Sequence, residues 1–350
     1  MAAVFLTGFS TLTGDRLVGR LLKHYPPEAP VYCLVQVALR RQAEKRLAEI
    51  ERAHPAQRGR IRLLEGAVTL PDLGLGSGYG RINSAITAIY HLAAGAEHRR
   101  ERDLSTKVTL IGAQNILSFA ERCPHLTRLH YISSCRVSGQ YAGLFTENDL
   151  DKGQSFMNYH EETLFLAENE VQRSARAGLS VTIYRPGWVT GDSQSGMIQP
   201  EDALFDLLYW LLRRSSVDVM ALTGNPFRNR VHLVPCDYVA AAAAYLSGLD
   251  RPAGWVYHLL EPNPLRLGDF SRALGMVTGR RIRRIWAPLS LARMLLQTDP
   301  ALFRYFHQPT RYTTTQAQAD LQGSGIVCPP FASYAGRLVD FILANQQAFG

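Results

Sequence analysis

A hydroxyl at the end of a short apolar run, a tyrosine one loop later and a hydroxyl four places beyond it are the most chemically suggestive residues of this 350-residue chain. His130-Tyr131-Ile132 reads as a buried strand and Ser133-Ser134-Cys135 as its end. Tyr159 opens a helical pattern that runs to about Arg176. A tyrosine ionises near pH 10, so exchanging a proton with a carbonyl at neutral pH needs a nearby cation. A lysine four residues later on the same helical face supplies one. At ~4 Å and an effective dielectric of ~20 it favours phenolate by ~4 kcal/mol. Here that position is Thr163, which carries no charge but whose hydroxyl could bind a ribose. Glu162 lies close enough to push the phenol upward. His160 is a quarter-turn away and not placed to substitute. Loss of a positioned acid–base group costs roughly 10²–10⁴-fold in rate. The catalytic set is therefore Ser134, Tyr159 and Thr163, with Ser134 aimed at a substrate carbonyl. Cys135 reads as a nucleophile with no histidine placed to activate it, or as a buried thiol.

A second stretch, Thr7-Gly8-Phe9-Ser10-Thr11-Leu12-Thr13-Gly14, lies between a first strand and a first helix. A dinucleotide fold puts its phosphate-binding turn there. The spacing Gly-x-x-Gly-x-x-Gly would place glycines at 8, 11 and 14, and position 11 is threonine. Its branched Cβ would fill the space a phosphate needs, and it resists positive φ. The amides at the helix N-terminus remain to attract an anion. Two readings stand: a nucleotide site with altered or lost affinity, or a turn kept for packing. The residue that would meet the adenosine ribose is Gln36, which favours neither a free 2′-hydroxyl nor a 2′-phosphate. Arg40 and Arg41 are near enough to substitute, but read more simply as solvent-facing.

The elements that must position these residues follow one rhythm. Strands are expected at Val4–Leu6, Val31–Val35, Ile61–Leu64, Ala88–Leu92, His130–Ile132 and Ser180–Tyr184. Helices are expected at Thr13–His24, Arg40–Arg52, Thr106–Arg122 and from Tyr159. Short apolar runs each followed by a helix imply an α/β fold, a Rossmann-like, doubly wound parallel sheet covered on both faces. Gly8, Ala93, Ser134 and Pro186 fall at strand ends, where such sheets bind ligands. After Gly187 the rhythm breaks. Leu204–Arg214 is an apolar helix, Arg230–Val234 a strand, Tyr238–Leu246 a helix and Trp255–Leu260 a strand. From Leu267 the segments read as helical and irregular. The expected division is a nucleotide-binding domain of 1–195 plus about 230–260, and a smaller, mainly helical cap of about 196–229 and 261–350.

Composition narrows the class. The chain is 46% hydrophobic and 19% charged, with a net charge of +8. No apolar run reaches the ~18 residues of a membrane span, and the N-terminus reads as a strand instead of a signal peptide. Five dispersed cysteines suit a reducing cytoplasm and argue against a metal site. No aromatic-interleaved basic stripe points to nucleic acid. Arg280, Arg281, Arg283 and Arg284 form a tight basic group, either a solvated face or a dock for an acidic partner.

Several of these stretches together resemble the thioester reductases, a branch of the extended short-chain dehydrogenase/reductase superfamily. The residues that carry the resemblance are Val4–Gly14, Val31–Val35, Tyr90-His91-Leu92-Ala93-Ala94 and Tyr131–Ser134. They continue with Tyr184-Arg185-Pro186-Gly187-Trp188-Val189-Thr190-Gly191 through Gly196, Leu233–Val239, Tyr257-His258-Leu259 and Gly323–Pro330. The resemblance implies a Rossmann-like sheet with a helical cap. It also implies NADPH-dependent reduction of an acyl or aminoacyl thioester held on an acidic acyl or peptidyl carrier protein, or on CoA. Carried over by position, Ser134 and Tyr159 would be catalytic. Gly8, Ser10, Thr11, Leu12, Gly14, Gln36, Ala93, Ala94 and Pro186 would meet the cofactor. The departures fall where that family does its redox chemistry: Thr11 and Thr163, then Gln36 for an arginine, Ala67 for an aspartate and Thr109 for an asparagine. The expectation is weak or absent NADPH binding, with reduction impaired or replaced by non-redox chemistry. Two alternatives stand beside it. One is an inactive homologue that binds or scaffolds. The other is an active thioester or fatty acyl reductase, with Leu204–Arg214 lining an acyl channel or simply packing in a core. The oligomeric state is left open.

Overall fold

The computed structural model describes residues 2–9, 11–92, 102–200, 202–213, 218–222, 229–286 and 309–349. Seven strands make the main sheet: β1 (Val4–Thr7), β2 (Val31–Val35), β3 (Ile61–Glu65), β4 (Ala88–His91), β5 (Arg128–Ile132), β6 (Val181–Pro186) and β7 (Trp255–Leu259). Their order in space is β7-β6-β5-β4-β1-β2-β3, and every pairing is parallel. The order turns back beside β1 and β4, which leaves a crevice above their carboxyl ends. All residues of β1, β4 and β6 are buried, as a sheet with helices on both faces requires.

One face is covered by α1 (Leu12–His24), a helix that buries Leu17, Val18, Leu21 and Leu22. Next in the chain come α2 (Arg40–Ala53), α3 (Gly112–Glu121), which continues a π-helical turn at Thr106–Ile111, and α4 (Tyr159–Arg176). The last two cover the other face, where Phe119, Ala167 and Val171 meet Phe5, Ile89 and Ile183. Then come α5 (Ala203–Arg213), α6 (Cys236–Leu246), α7 (Leu267–Thr278), α8 (Thr315–Leu321) and α9 (Ala335–Ala344). Five successive alanines, Ala240–Ala244, let α6 pack in the same core as α1.

A second core gathers Leu204, Leu208 and Leu211 of α5, Phe270 and Leu274 of α7, and Leu338 and Ile342 of α9. The apolar side of α5 is thus packing material. The expected division is crossed in two places. Trp188, Val231 and Leu233 belong to this second core, while Ala317 and Cys328 belong to the first. The strand expected over Arg230–Val234 breaks at His232. Arg230–Val231 pairs antiparallel with Leu265–Arg266, and Leu233–Pro235 pairs parallel with Trp188–Thr190. Ile282–Trp286, read as part of a helical region, is a strand beside Asp218–Leu222. Of the arginine group, Arg280 donates to Leu212 O at 3.0 Å and closes the end of α5. Arg281 is exposed, and the side chains at 283 and 284 lie outside the described residues.

A buried ionic network ties the layers together beneath the crevice. Arg185 of β6 and Glu168 of α4 are both fully buried and paired at 2.5 Å. Ser133, at the end of β5, donates to Glu168 at 2.5 Å. Arg185 also donates to His258 Nε2 of β7 at 3.1 Å, and His258 Nδ1 donates to Thr313 O at 2.7 Å. These bonds fix the rotation of α4 about its own axis relative to the sheet.

Candidate active site

Thr11 begins α1. Its φ is −85°, so the positive φ expected to exclude a threonine there is not required. Its hydroxyl accepts from Gly14 N at 3.1 Å and donates to Gly8 O at 2.7 Å. Gly8 supplies the turn at φ +79°, and a Cβ on it would lie 2.4 Å from Leu92 O. A Cβ on Gly14 would lie 2.1 Å from Gly8 O. Both glycines are therefore required by packing alone. The first amide of the helix, Leu12 N, donates to Gln199 Oε1 at 3.2 Å. Asp202 lies beside it, accepting from Gln199 N at 3.3 Å, and both side chains line the cleft. A pyrophosphate at this turn would meet a hydroxyl, a carboxamide and a carboxylate where it needs open amides.

Ser134 stands at the carboxyl end of β5 and lines the cleft. Its Oγ accepts from Arg136 N at 3.2 Å. Pro186 and Leu12 line the same cleft, whose volume is about 160 Å³. Gln36 is exposed and begins a short 3₁₀ turn with no side-chain capping bond. Arg40 is engaged with Glu44 at 2.7 Å and Glu65 at 3.0 Å. Thr109 is buried in the π-helical turn, its hydroxyl without a partner among the described atoms. Ser10, Ala93 and Ala94 lie outside the described residues.

The structure does not bring Tyr159 and Thr163 to the cleft. Tyr159 is 50% exposed. Thr163 is buried against the π-helical turn, bonding Ser105 Oγ and His160 O, each at 3.0 Å. The α4 residues that line the cleft are His160 and Leu164, one place further on. The reason is the buried pair: with Glu168 held by Arg185 under the sheet's end, the face that looks into the crevice runs 168, 164, 160. His160, a quarter-turn from Tyr159, lines the cleft, where sequence reasoning does not place it. The signal was present in Glu168, a carboxylate inside an apolar stripe. The start of α4 is fixed as well. Asn158 Oδ1 accepts from Glu161 N at 3.0 Å, and Glu161 accepts from Met157 N at 3.1 Å and from Arg136 at 2.7 Å.

The thiols offer no nucleophile here. Burial pushes Cys135 up, and its Sγ donates to Arg185 O at 3.1 Å. Cys236 lines the cleft and is raised for the same reason. It converges with Asp192 and Asp237, whose carboxylates are taken by Arg16 and by Ser193 and Ser195. Among the described residues the cleft presents an imidazole at the second position of an 18-residue helix, a serine hydroxyl at a strand end, the Arg136 guanidinium paired with Glu161 at 2.7 Å, and the apolar Leu164.

A profile of the male sterility protein family matches residues 6–243. The aldehyde reductase lnaA of Aspergillus flavus is 30% identical over 280 residues, 74% of this chain and 26% of that protein. A non-canonical nonribosomal peptide synthetase of Cladobotryum, FrzA, is 25% identical over 289 residues, 78% of this chain and 27% of that one. The chain spans about a quarter of the length of these curated relatives. Among solved structures, the terminal R domain from the myxalamid PKS-NRPS pathway superposes with TM-score 0.83 at 24% identity, over 100% of this chain and 92% of that one. A thiolation-reductase di-domain from an archaeal nonribosomal peptide synthetase gives 0.76 at 19% identity, over 99% and 76%. The chain belongs to the male sterility protein family and, within the extended short-chain dehydrogenase/reductases, to the thioester-reductase-like proteins.

Proposed function

We propose that this protein holds a carrier- or CoA-bound acyl thioester in the crevice above β1, β4, β5 and β6, and that NADPH-dependent reduction there is impaired or replaced by proton-transfer chemistry. The thioester half is supported by the relatives, which are reductases and peptide synthetases, and by the di-domain neighbour in which a thiolation unit accompanies the fold. Its partner would then be an acidic carrier protein. The observation that carries the second half is the state of the α1 N-terminus. Thr11 and Gln199 occupy the Gly14 and Leu12 amides, and Asp202 adds negative charge beside them. Among the described lining residues there is no lysine, and the guanidinium of Arg136 is paired with Glu161 at 2.7 Å. In place of a lysine, His160 is the proton carrier, and Ser134 is the hydroxyl that binds the thioester carbonyl.

Calorimetric titration of the whole chain tests both halves. NADPH should bind more weakly than about 1 mM, a free energy below ~4 kcal/mol, while hexanoyl-pantetheine should show saturable binding. Low-micromolar NADPH affinity would restore the reductase reading. Failure of every acyl-pantetheine or acyl-CoA to bind would remove the thioester reading.

A further inference from the structure

Glu261 is a buried carboxyl that the cleft does not use. It stands two residues beyond β7, at the carboxyl end of the main sheet, and is only 6% exposed. Its Oε2 is buried without a hydrogen-bond partner among the described atoms. Two titratable groups feel its charge, Cys328 and Tyr334, and both also feel Asp237. Burial raises the thiol and the phenol, so both stay neutral. An ionised carboxylate with neither donor nor cation is among the costliest groups an interior can hold. Desolvation accordingly holds Glu261 up to about 7, against ~4.3 for a glutamate in water.

The position of this group gives its proton a structural consequence. Cys328 belongs to the core beneath α1 and α6, and Tyr334 to the core of α5, α7 and α9. Glu261 therefore lies where the two cores meet. The segment that joins them, 326–334, also holds the cleft from behind. Tyr334 Oη and Thr190 Oγ1 are 3.1 Å apart, and Thr190 lines the cleft. The charged groups of the neighbouring elements are engaged elsewhere. Asp237 of α6 accepts from Ser193 N at 2.8 Å and from Ser193 Oγ at 2.7 Å. Arg337 of α9 donates to Ser193 O at 2.8 Å. A charge formed on Glu261 would thus meet two neutral groups and an anion, with no cation among the described residues acting on it.

We propose that Glu261 is a pH-sensitive latch: protonated, it lets segment 326–334 close over the junction of the two cores, and on ionising it loosens that segment and the Tyr334–Thr190 contact behind the cleft. The proton exchanges with solvent, and the device holds whatever the cleft binds. Its sign follows from linkage. A folded pKa above the unfolded one adds stability that is complete below the unfolded value and is lost as pH rises to the folded one.

Urea denaturation of the full chain and of Glu261→Gln, from about pH 5.5 to about pH 8, tests the first half. The other titrating groups are common to both proteins, so the ratio of their folding equilibrium constants reports this carboxyl. That ratio, parent over variant, should fall about tenfold or more across the range and level off above about pH 7.5. Amide hydrogen exchange read by mass spectrometry, corrected for its intrinsic pH dependence, tests the second half. Segment 326–334 should lose protection about tenfold between about pH 6 and about pH 8 in the parent, and keep it in Glu261→Gln. A flat ratio of folding constants overturns the proposal, since the carboxyl would then ionise alike in both states. A falling ratio with unchanged exchange in 326–334 removes the latch, because the proton would leave only on global unfolding. Should the glutamine variant not fold, Glu261→Met, neutral and close in volume, takes its place, and the parent's own exchange in 326–334 must still show the tenfold loss.

Discussion

Thr11 does two jobs with one hydroxyl. It caps α1, and it takes the Gly14 amide that a phosphate would otherwise approach. Glycine at a helix N-cap costs only a few tenths of a kcal/mol relative to threonine, so the second job can be removed with little harm to the first. Gln199 then releases the Leu12 amide when shortened to alanine. Each freed amide can give a phosphate a charge-assisted bond worth ~1.5–3 kcal/mol. The Thr11→Gly/Gln199→Ala variant should therefore bind NADPH about tenfold or more tighter than the parent, read by calorimetry. Unchanged affinity would mean the obstacle lies elsewhere, with Asp202 the next to test. On α4 the contrast is between neighbours. His160 lines the cleft and Tyr159 does not, so in any turnover of an acyl-pantetheine His160→Phe should lose roughly 10²–10⁴-fold and Tyr159→Phe almost nothing. The reverse order would return the proton to the phenol.

That one-residue difference belongs to the helix. A helical period identifies α4 but does not say which of two adjacent residues looks into a crevice, because each is only 100° from the next. What decides it is Glu168, whose partner Arg185 comes from β6 and is invisible to local pattern. The strand centres were legible because a parallel sheet buried on both faces demands continuous apolar runs, as in Val4-Phe5-Leu6 and Val31–Val35. The break at His232 was not legible, since Arg230–Val231 and Leu233–Pro235 are separated by their partners and not by their composition. Ile282–Trp286 was lost among arginines whose spacing fits a helix as well as a strand. Because the Glu168–Arg185 pair is fully buried and sets the rotation of α4, removing one charge leaves the other stranded. Glu168→Gln should cost ~3–5 kcal/mol, measured by urea denaturation, and should also displace His160. A loss under about 1 kcal/mol, the scale of an exposed pair, would show that the helix is oriented by packing instead.

Across the whole molecule the most consequential charges are those that the interior keeps away. Burial drives His91, His130 and His258 down to about 3 and His232 to about 4. His130 is stacked on Tyr90 at 4.5 Å and bonded to Tyr184 at 3.0 Å. His258 accepts from Arg185 and donates to Thr313 O, a pattern that requires the neutral ring. An unfolded chain protonates histidine near pH 6.5. Folded pKa values below the unfolded one mean that the unfolded state binds more protons between pH 6.5 and about 3, so stability is lost as pH falls through that window. Four such groups at ~1.4 kcal/mol per pH unit remove up to ~5 kcal/mol per unit below about pH 6. A domain's margin of ~5–15 kcal/mol is then spent within two or three units. The net charge of +8 at neutrality acts in the same direction, since each added proton increases self-repulsion. Far-ultraviolet circular dichroism should follow one transition with a midpoint between about pH 5 and pH 4. His91, whose Nε2 has no partner among the described atoms, isolates one contribution. In His91→Gln the steepness of stability against pH should fall by about one proton. A native spectrum at pH 3.5, or a slope unchanged in that variant, would show that these rings take up their protons without leaving the fold.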